Sequence, residues 1–243
     1  MKTNEEVINN IKEWFNKNNI KTAVVNISGG ADSTYVAYAL VKALGKENVI
    51  GLLQPNGEQK DIGYAEEVVK LLGIHWDSIN IKDTYNIGES VIKDIGYVLN
   101  RDTDNRYILD NECAKINIAP RIRMMYAYAI ANLVHGAVVG TGNASERYVG
   151  YFTKWGDGAC DFNPIKDILK TDLIKMGLEL GIPEHLIKKI PADGLTDKTD
   201  EEKYGFSYKV LDDYIRTGVC EDYKVKEKID KMHKNSRHKF EEI

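Results

Sequence analysis

The sequence contains few cysteines and no long apolar run. Its three cysteines, at positions 113, 160 and 220, have neither an even number nor metal-ligand spacing, so we predict neither a disulfide framework nor a zinc site. No uninterrupted apolar segment approaches the roughly 18 residues that a membrane helix needs. The N-terminus is polar and acidic where a signal peptide would be basic and then apolar. We therefore expect a soluble, cytoplasmic protein that does not associate with membranes.

The chain also lacks an excess of positive charge. Its 33 Lys and Arg residues are outnumbered by 37 Asp and Glu residues, for a formal net charge of -4. This balance excludes a globally basic nucleic-acid-binding protein, although it leaves room for a local basic patch. The hydrophobic fraction, 43% of 243 residues, is enough to fill a sizeable core and argues against disorder.

Apolar strand patterns alternate with helical patterns along the first half of the chain. Thr3 and Glu6 match a capping box ahead of apolar residues at helical spacing, which predicts an N-terminal helix. The strand candidates are residues 22–27, 48–53, 76–81 and 137–140. The further helical patterns are residues 34–44, 61–72, 89–98, 116–133, 167–180, 183–189, 207–216 and 221–235.

This order of elements predicts the fold. Strands that alternate with helices imply a parallel sheet with right-handed crossovers. We expect a loop at 141–146, an irregular Gly- and Asp-rich stretch at 151–164, and a polar, mobile loop at 191–205. The fold class is therefore α/β, a doubly wound, Rossmann-like parallel sheet with a helical C-terminal extension.

Residues 28–33, Ser-Gly-Gly-Ala-Asp-Ser, follow an apolar strand and begin a helix. At such a position free N–H groups and the helix dipole favour an anion, and the glycines let the main chain approach a phosphate closely. The pattern is neither a Walker A loop nor a GxGxxG fingerprint. An ordinary turn capped by Asp32 or Ser33 is the structural alternative. The full hexapeptide in this context favours a phosphate-binding loop.

This hexapeptide resembles the signature of the PP-loop ATP pyrophosphatase superfamily, whose members are similar to adenine nucleotide alpha hydrolases in fold. Over most of its length the chain resembles ammonia-dependent NAD synthetase. The segments that carry this resemblance are Pro55-x-Gly57-x-Gln59-x-Asp61, Asn117-Ile118-x-x-Arg121-x-Arg123-Met124, Gly140-Thr141-x-x-Ala144-x-Glu146 and Gly150-Tyr151-Phe152-Thr153-Lys154-Trp155-Gly156-Asp157-Gly158-x-x-Asp161. Pro164, Lys170, Gly181 to Glu184, Thr199 to Glu201 and the pair His238-Lys239 fit as well.

The resemblance implies amidation of deamido-NAD (nicotinic acid adenine dinucleotide) to NAD with ATP and free ammonia, through an acyl-adenylate, with release of AMP and pyrophosphate. It implies Mg²⁺ held by Asp32 and Glu146, and catalytic roles for Lys154 and Asp161. The implied ATP contacts are Ser28, Gly29, Gly30, Ala31, Asp32, Ser33, Gln59, Thr141 and Lys170. The implied deamido-NAD contacts are Asn117, Arg121, Lys154, Asp161, His238 and Lys239.

Several of these residues also have a structural interpretation. Asp32 could cap a helix, and Lys170 could be a surface residue, as most lysines are. Arg121 could form an interface salt bridge, and the pair 238–239 lies in a basic stretch typical of a solvated helix. Lys154 and Asp161 lie in a Gly-rich loop that has no apolar face, so packing explains these two residues poorly.

Two other functional classes stay open at this point. One is a different PP-loop ligase, such as a GMP synthetase core or a tRNA-modifying enzyme, although the acidic balance gives little support for tRNA. The other is a nucleotide-binding module without catalysis.

We expect a single synthetase domain over 1–243, with an ATP-binding core at about 20–145 and a substrate loop and helical part at about 146–243. We also expect a homodimer with the helix at 117–133 in its interface, and no room for an amidase domain that would release ammonia from glutamine.

Overall fold

The computed structural model describes residues 2–102, 111–189 and 199–241. The described strands form one parallel sheet and are β1 (Ala23–Asn26), β2 (Val49–Leu53), β3 (His75–Ser78) and β4 (Ala137–Val139). Their order across the sheet is β3-β2-β1-β4. The chain thus extends the sheet first on one side of β1 and later on the other. The crevice beyond the carboxyl ends of β1 and β4 is the switch point at which open α/β sheets bind ligands.

Helices connect and cover these strands. In chain order they are α1 (Asn4–Lys17), α2 (Ala31–Leu44), α3 (Ile62–Leu72), α4 (Lys82–Asp102), α5 (Asn111–Ile116), α6 (Ile118–Leu133), α7 (Ala144–Val149), α8 (Lys170–Glu179), α9 (Glu184–Ile187), α10 (Asp200–Tyr204), α11 (Tyr208–Thr217) and α12 (Tyr223–Ser236). None of the described helices combines the length and the apolar character needed to cross a membrane.

The strands β1, β2 and β4 are buried on both faces of the sheet. Successive residues of a strand point to opposite faces, so Val25 packs in a core with α1 and α2, whereas Val24 packs against Ala127 and Ala131 of α6. Helices on both faces explain why the strands are apolar runs without a polar alternation. The predicted doubly wound α/β fold is confirmed.

Most predicted elements are present, and the differences arise at short polar segments. The N-terminal capping box is confirmed, because Thr3 and Glu6 accept hydrogen bonds from each other's backbone N–H groups. The expected loop at 141–146 was wrong in part, since α7 begins within it. Of the expected mobile loop, residues 191–198 lie outside the described residues. The remainder was wrong as a loop prediction, because α10 forms there with a capping box of its own.

The C-terminal extension has its own apolar cluster, which packs on α7. Tyr204, Leu211 and Ile229 are buried in it together with Val149. Gly150 ends α7 with φ +71°, and a Cβ there would lie 2.0 Å from the Cβ of Ser236. The absence of a side chain at this glycine lets α12 approach the end of α7. The predicted helical C-terminal extension is therefore confirmed, and it packs directly on α7, the helix that follows β4.

Candidate active site

The loop at residues 28–33 joins β1 to α2 at the switch point. The Ser28 N–H donates to Ser33 Oγ at 3.2 Å, and the Ser33 hydroxyl donates to the Gly30 carbonyl at 3.1 Å. Gly30 is the N-cap of α2 and brings no side-chain acceptor to the first turn of the helix. The first N–H groups of α2 are thus left for an anion that enters from the crevice.

Gly29 is required by the conformation of this loop. Its φ is +76°, and a Cβ there would lie 2.7 Å from the backbone nitrogen of Ala65 on α3. Both the left-handed backbone and the close approach exclude larger residues. The glycine therefore lets the loop lie directly against α3.

Asp32, in the first turn of α2, is the centre of a cluster of charged groups from three helices. Lys170, the first residue of α8, donates its ammonium group to Asp32 Oδ2, although only 2% of the Lys170 side chain is exposed. The Asn143 amide, at the start of α7, donates to Asp32 Oδ1 at 3.0 Å. A buried lysine needs a charged partner, so the structural interpretation of Lys170 as a surface residue was wrong.

Glu146 belongs to the same cluster. Its carboxylate accepts the Asn143 N–H at 3.0 Å, and Asn143 Oδ1 accepts the Glu146 N–H at 2.9 Å, a second capping box. Burial and the nearby Asp32 carboxylate raise the pKa of Glu146 well above its usual range. Burial opposes the charged form of Lys170, but the Asp32 and Glu146 carboxylates outweigh it and raise the pKa of that ammonium. Among the described residues, the contacts of this cluster set one lysine, Lys170, against the carboxylates of Asp32 and Glu146.

This donor set fits a magnesium ion that is shared with a nucleotide. Among the described residues there is no group of three or more His, Cys, Asp or Glu side chains that could hold a metal by itself. Mg²⁺ is usually held by one or two carboxylates together with phosphate oxygens and waters. Asp32 and Glu146 supply two carboxylates beside a phosphate-loop geometry. The raised pKa of Glu146 also shows that additional positive charge would be favourable there.

The other predicted ATP contacts occupy neighbouring loops. Thr141 follows β4 at the carboxyl edge of the sheet. The Gln59 amide donates to Asp61 Oδ1 at 2.8 Å, and Asp61 in turn pairs with Lys189. Gln59 is therefore held by a neighbouring carboxylate in the loop after β2.

Lys154 and Lys239 each donate to backbone carbonyls of the segment that carries the other lysine. The Lys154 ammonium donates to the carbonyls of His238 and Glu241 at 3.1 and 2.9 Å. The Lys239 ammonium donates to the carbonyls of Gly150 and Phe152, both at 2.7 Å. We call these two lysines and the four carbonyls that they contact the C-terminal clasp. A solvated basic helix was the alternative interpretation of residues 238–239. Lys239 does not fit it, because its ammonium donates to backbone carbonyls.

The other predicted deamido-NAD contacts divide between two places. Thr153 donates its hydroxyl to Asn117 Oδ1 at 2.6 Å, and Arg121 contacts the Lys154 carbonyl at 3.5 Å. The start of α6 thus lies beside the clasp. Asp161 makes different contacts, because its carboxylate accepts the Val138 N–H at 2.8 Å and the Tyr128 hydroxyl at 3.3 Å. These contacts attach Asp161 to β4 and α6 and give it a structural role that the sequence did not suggest.

Asn143 is the main site residue that the sequence interpretation missed. It is fully buried and connects Asp32 to the helix that carries Glu146. The pattern Asn143-x-x-Glu146 is a capping-box pattern, and this signal could have revealed both the helix and the pairing of the two residues.

Comparison with known proteins agrees with this geometry. The family model described as NAD synthase matches residues 3–243. The NH(3)-dependent NAD(+) synthetase of Pyrococcus furiosus is 36% identical over 97% of this chain and 91% of its own length. Among solved structures, NMN synthetase from Francisella tularensis has a TM-score of 0.82 and 30% identity, over 97% of this chain and 93% of that one. NH3-dependent NAD synthetase from Campylobacter jejuni, in complex with the nitrate ion, has a TM-score of 0.74 and 25% identity, over 99% of this chain and 95% of that one. The chain belongs to the NAD synthase family.

Proposed function

We propose that the protein is an ammonia-dependent NAD synthetase that amidates deamido-NAD to NAD and converts ATP to AMP and pyrophosphate. The observation that carries this proposal is the cluster of Asp32, Glu146 and Lys170 beside the loop at 28–33, in a chain of the NAD synthase family. This arrangement offers cations and N–H donors to a triphosphate. Curated relatives that match most of the chain are named NH(3)-dependent NAD(+) synthetase.

In the first step, a nicotinate carboxylate oxygen attacks the α-phosphorus of ATP. A P–O bond to that oxygen forms as the bond to pyrophosphate breaks, which gives an acyl-adenylate. The loop N–H groups and the Lys170 ammonium stabilise the negative charge on the leaving pyrophosphate. Mg²⁺, when held by Asp32 and Glu146, supplies Lewis-acid stabilisation of the phosphate oxygens.

In the second step, ammonia attacks the acyl carbon and AMP leaves with the former carboxylate oxygen. In this proposal the Lys154 ammonium holds the dinucleotide and stabilises the negative charge that develops on the acyl oxygen. This role requires Lys154 to exchange the carbonyls of His238 and Glu241 for the substrate. Asp161 attracts ammonium and accepts its proton, so that neutral ammonia is the nucleophile.

The active protein is a homodimer in this proposal, and its interface includes α4 as well as the predicted helix α6. Ile87, Val91 and Ile95 recur every fourth residue of α4 and are 68%, 49% and 53% exposed. Met125 and Leu133 add exposed apolar surface on α6, whose buried residues face the sheet. A second copy would cover this stripe. Light scattering should give twice the chain mass, and a fully active monomer would contradict the dimer.

A division of the chain into an ATP-binding core at about 20–145 and a substrate-binding part at about 146–243 is supported by the separate apolar cluster of the C-terminal extension. We place the enzyme in the cytoplasm. The three free cysteines suit a reducing compartment that contains ATP.

The same chemistry on a mononucleotide is a second candidate. It is supported by the fold likeness to NMN synthetase from Francisella tularensis, which has a TM-score of 0.82. Deamido-NMN would present the same nicotinate carboxylate to the adenylating site. The two candidates differ in whether the enzyme also binds a second nucleotide, which deamido-NAD contains and deamido-NMN lacks.

One assay tests both candidates. The protein is incubated with MgATP, ammonium and either deamido-NAD or deamido-NMN, and the amide product, AMP and pyrophosphate are quantified by chromatography. The proposal predicts equal amounts of NAD, AMP and pyrophosphate, and a larger kcat/KM with deamido-NAD. A preference for deamido-NMN would establish the second candidate. Failure of both substrates, or replacement of ammonium by glutamine without loss of rate, would contradict the proposed reaction.

A further inference from the structure

Asp212 is a buried carboxylate that the reaction described above does not use. It lies on α11 in the C-terminal extension and is 0% exposed. A fully buried aspartate is uncommon and is retained when its oxygens have specific partners. Its partners lie on the two helices that supply Glu146 and Lys170 to the charged cluster.

The contacts of Asp212 form a short chain between helices. Its Oδ1 accepts the hydroxyl of Ser145 on α7, and its Oδ2 accepts the backbone N–H of Thr171 on α8 at 2.8 Å. The same Ser145 oxygen accepts the N–H of Lys170 at 2.9 Å. One carboxylate and one hydroxyl thus serve the first two N–H groups of α8.

These contacts replace an ordinary helix cap. Leu169, the N-cap of α8, has no side-chain acceptor, so the helix takes its cap from α11 and α7. A negative charge at a helix N-terminus is also favoured by the helix dipole. Arg216, four residues after Asp212, contacts Asp172 at 2.7 Å and Thr171 Oγ1 at 3.1 Å. The first turn of α8 is therefore held on two sides by α11.

Lys170 is the first residue of that turn, and Ser145 directly precedes Glu146. The position of the Lys170 backbone relative to the cluster is thus set by the carboxylate of Asp212. We propose that Asp212 is a positioning residue for the adenylation step, and that it acts by holding Lys170 where its ammonium meets Asp32 and the triphosphate. This inference rests on the proposed function, because the triphosphate is the ligand that Lys170 would serve.

A neutral replacement should loosen this arrangement without leaving a cavity. In Asp212→Asn, the amide oxygen can still accept the Thr171 N–H, but the amide NH₂ group faces the Ser145 hydroxyl, which must turn and give up the hydrogen bond that it donates. The N-terminus of α8 also loses the negative charge that the helix dipole favours, so the Lys170 backbone can shift. Small displacements of a binding group are known to cost large factors in rate.

The test compares Asp212→Asn with Asp213→Asn, the same chemical change at an adjacent, exposed aspartate that pairs with Lys209 and Arg216. Each variant is made in the wild-type background and in a Lys170→Met background, which keeps an unbranched side chain one heavy atom shorter and removes the charge. The Kd for MgATP is measured by calorimetry, the steady-state constants are measured for each substrate, and folding is followed by circular dichroism well below the Tm.

The inference predicts that Asp212→Asn weakens MgATP binding and lowers kcat/KM for ATP by roughly tenfold, with little change in KM for deamido-NAD. In the Lys170→Met background the same change should have an effect of less than about twofold, because the residue it acts through is already gone. Asp213→Asn should leave all constants near wild type. A lowered Tm with unchanged ATP constants, or equal factors in both backgrounds, would overturn the inference.

Two further results keep the outcomes distinct. If Asp212→Asn does not fold, Ser145→Ala removes the hydroxyl that links Asp212 to Lys170, and it should weaken MgATP binding in the same direction by a smaller factor; unchanged binding would overturn the inference. A wild-type protein that binds MgATP but makes no amide product would contradict the proposed function, and the Kd cycle would still decide the role of Asp212. A wild-type protein that does not bind MgATP would contradict both.

Discussion

The cluster around Asp32 and the C-terminal clasp both use buried or half-buried lysines, but they use them differently. In the cluster, Lys170 contacts a carboxylate side chain, and burial together with Asp32 raises the pKa of a second carboxylate, Glu146. In the clasp, Lys154 and Lys239 donate to main-chain carbonyls, and burial lowers the pKa of Lys239.

The partners of these lysines differ in a way that bears on their roles. The charged groups of the cluster suit a ligand, whereas the lysines of the clasp also stabilise the fold. Two carboxylates and one lysine leave an excess of negative charge in the cluster. This excess costs folding stability and would be neutralised by a bound cation, so folding alone does not explain these residues. Lysines that satisfy backbone carbonyls contribute to stability by themselves. Substitutions in the cluster should therefore reduce activity more than stability. In the clasp, the exposed bonds of Lys154 should contribute little to stability, whereas the part-buried bonds of Lys239 should contribute more.

The largest effect is expected for Asp32→Asn. The proposed magnesium site loses an anionic ligand and Lys170 loses its partner, so we expect turnover to fall by about 1,000-fold, while the helix of Asp32 remains folded. Turnover should be measured at limiting magnesium, with Asp77→Asn on the edge strand β3 as the control. Wild-type turnover in folded Asp32→Asn would remove Asp32 from the metal site.

Glu146→Gln should separate activity from stability most clearly. The folded protein binds a proton at Glu146 more tightly than the unfolded chain does, because burial and Asp32 raise the pKa of this group in the folded state. Its stabilising contribution is thus present below the ordinary pKa of 4.5 and is lost as the pH rises through the raised pKa. Glutamine removes the charge and can still accept the Asn143 N–H.

We therefore expect Glu146→Gln to raise the Tm by about 2–4 °C at neutral pH and to leave it nearly unchanged at pH 4, while turnover falls by about 100-fold. Calorimetric scans without metal at both pH values provide the measurement. A Tm that falls at neutral pH would show that the ionised carboxylate stabilises the fold.

In the clasp, replacing Lys154 should affect turnover more than stability, and replacing Lys239 should affect stability more than turnover. Lys154→Ala should lower turnover by about 100-fold, with a Tm loss of less than about 2 °C. Lys239→Met loses two charge-assisted hydrogen bonds and should cost about 1.5–3 kcal/mol of stability, with the smaller loss of turnover. Equal changes in Tm, or turnover of Lys154→Ala within about twofold of wild type, would contradict a catalytic role for Lys154.

The smallest effect is expected for Asp161→Asn. The amide oxygen can still accept the Val138 N–H, so the Tm should fall by no more than about 4 °C. The loss of charge should raise KM for ammonium several-fold, by an amount of roughly 1 kcal/mol, and leave KM for ATP unchanged. An unchanged ammonium KM across the pH range would leave Asp161 with its structural role alone.

The sequence predicted the sheet and the phosphate loop well, because each has a local signature. Apolar runs bounded by turns predicted the strands, and the pattern at 28–33 predicted the loop before α2. The edge strand β3 began one residue before its predicted start, since all four of its residues are exposed and carry little apolar signal.

The sequence could not show which side chains meet. Asn143 and Lys170 contact Asp32 across 111 and 138 residues of chain, and no local pattern encodes such a distance. The clasp has no sequence pattern either, because the sequence around a lysine that donates to a backbone carbonyl does not distinguish it from a lysine in solvent. The role of Asp212 depends on three helices and could be seen only in their packing.

The most direct test of the account is the fate of the substrate carboxylate oxygen. Deamido-NAD labelled with ¹⁸O in the nicotinate carboxylate is converted in the presence of MgATP and ammonium, and the products are analysed by mass spectrometry. Adenylation at the cluster of Asp32, Glu146 and Lys170 predicts that ¹⁸O appears in AMP and is absent from pyrophosphate. Label in a phosphate other than that of AMP, or AMP without label, would contradict the account.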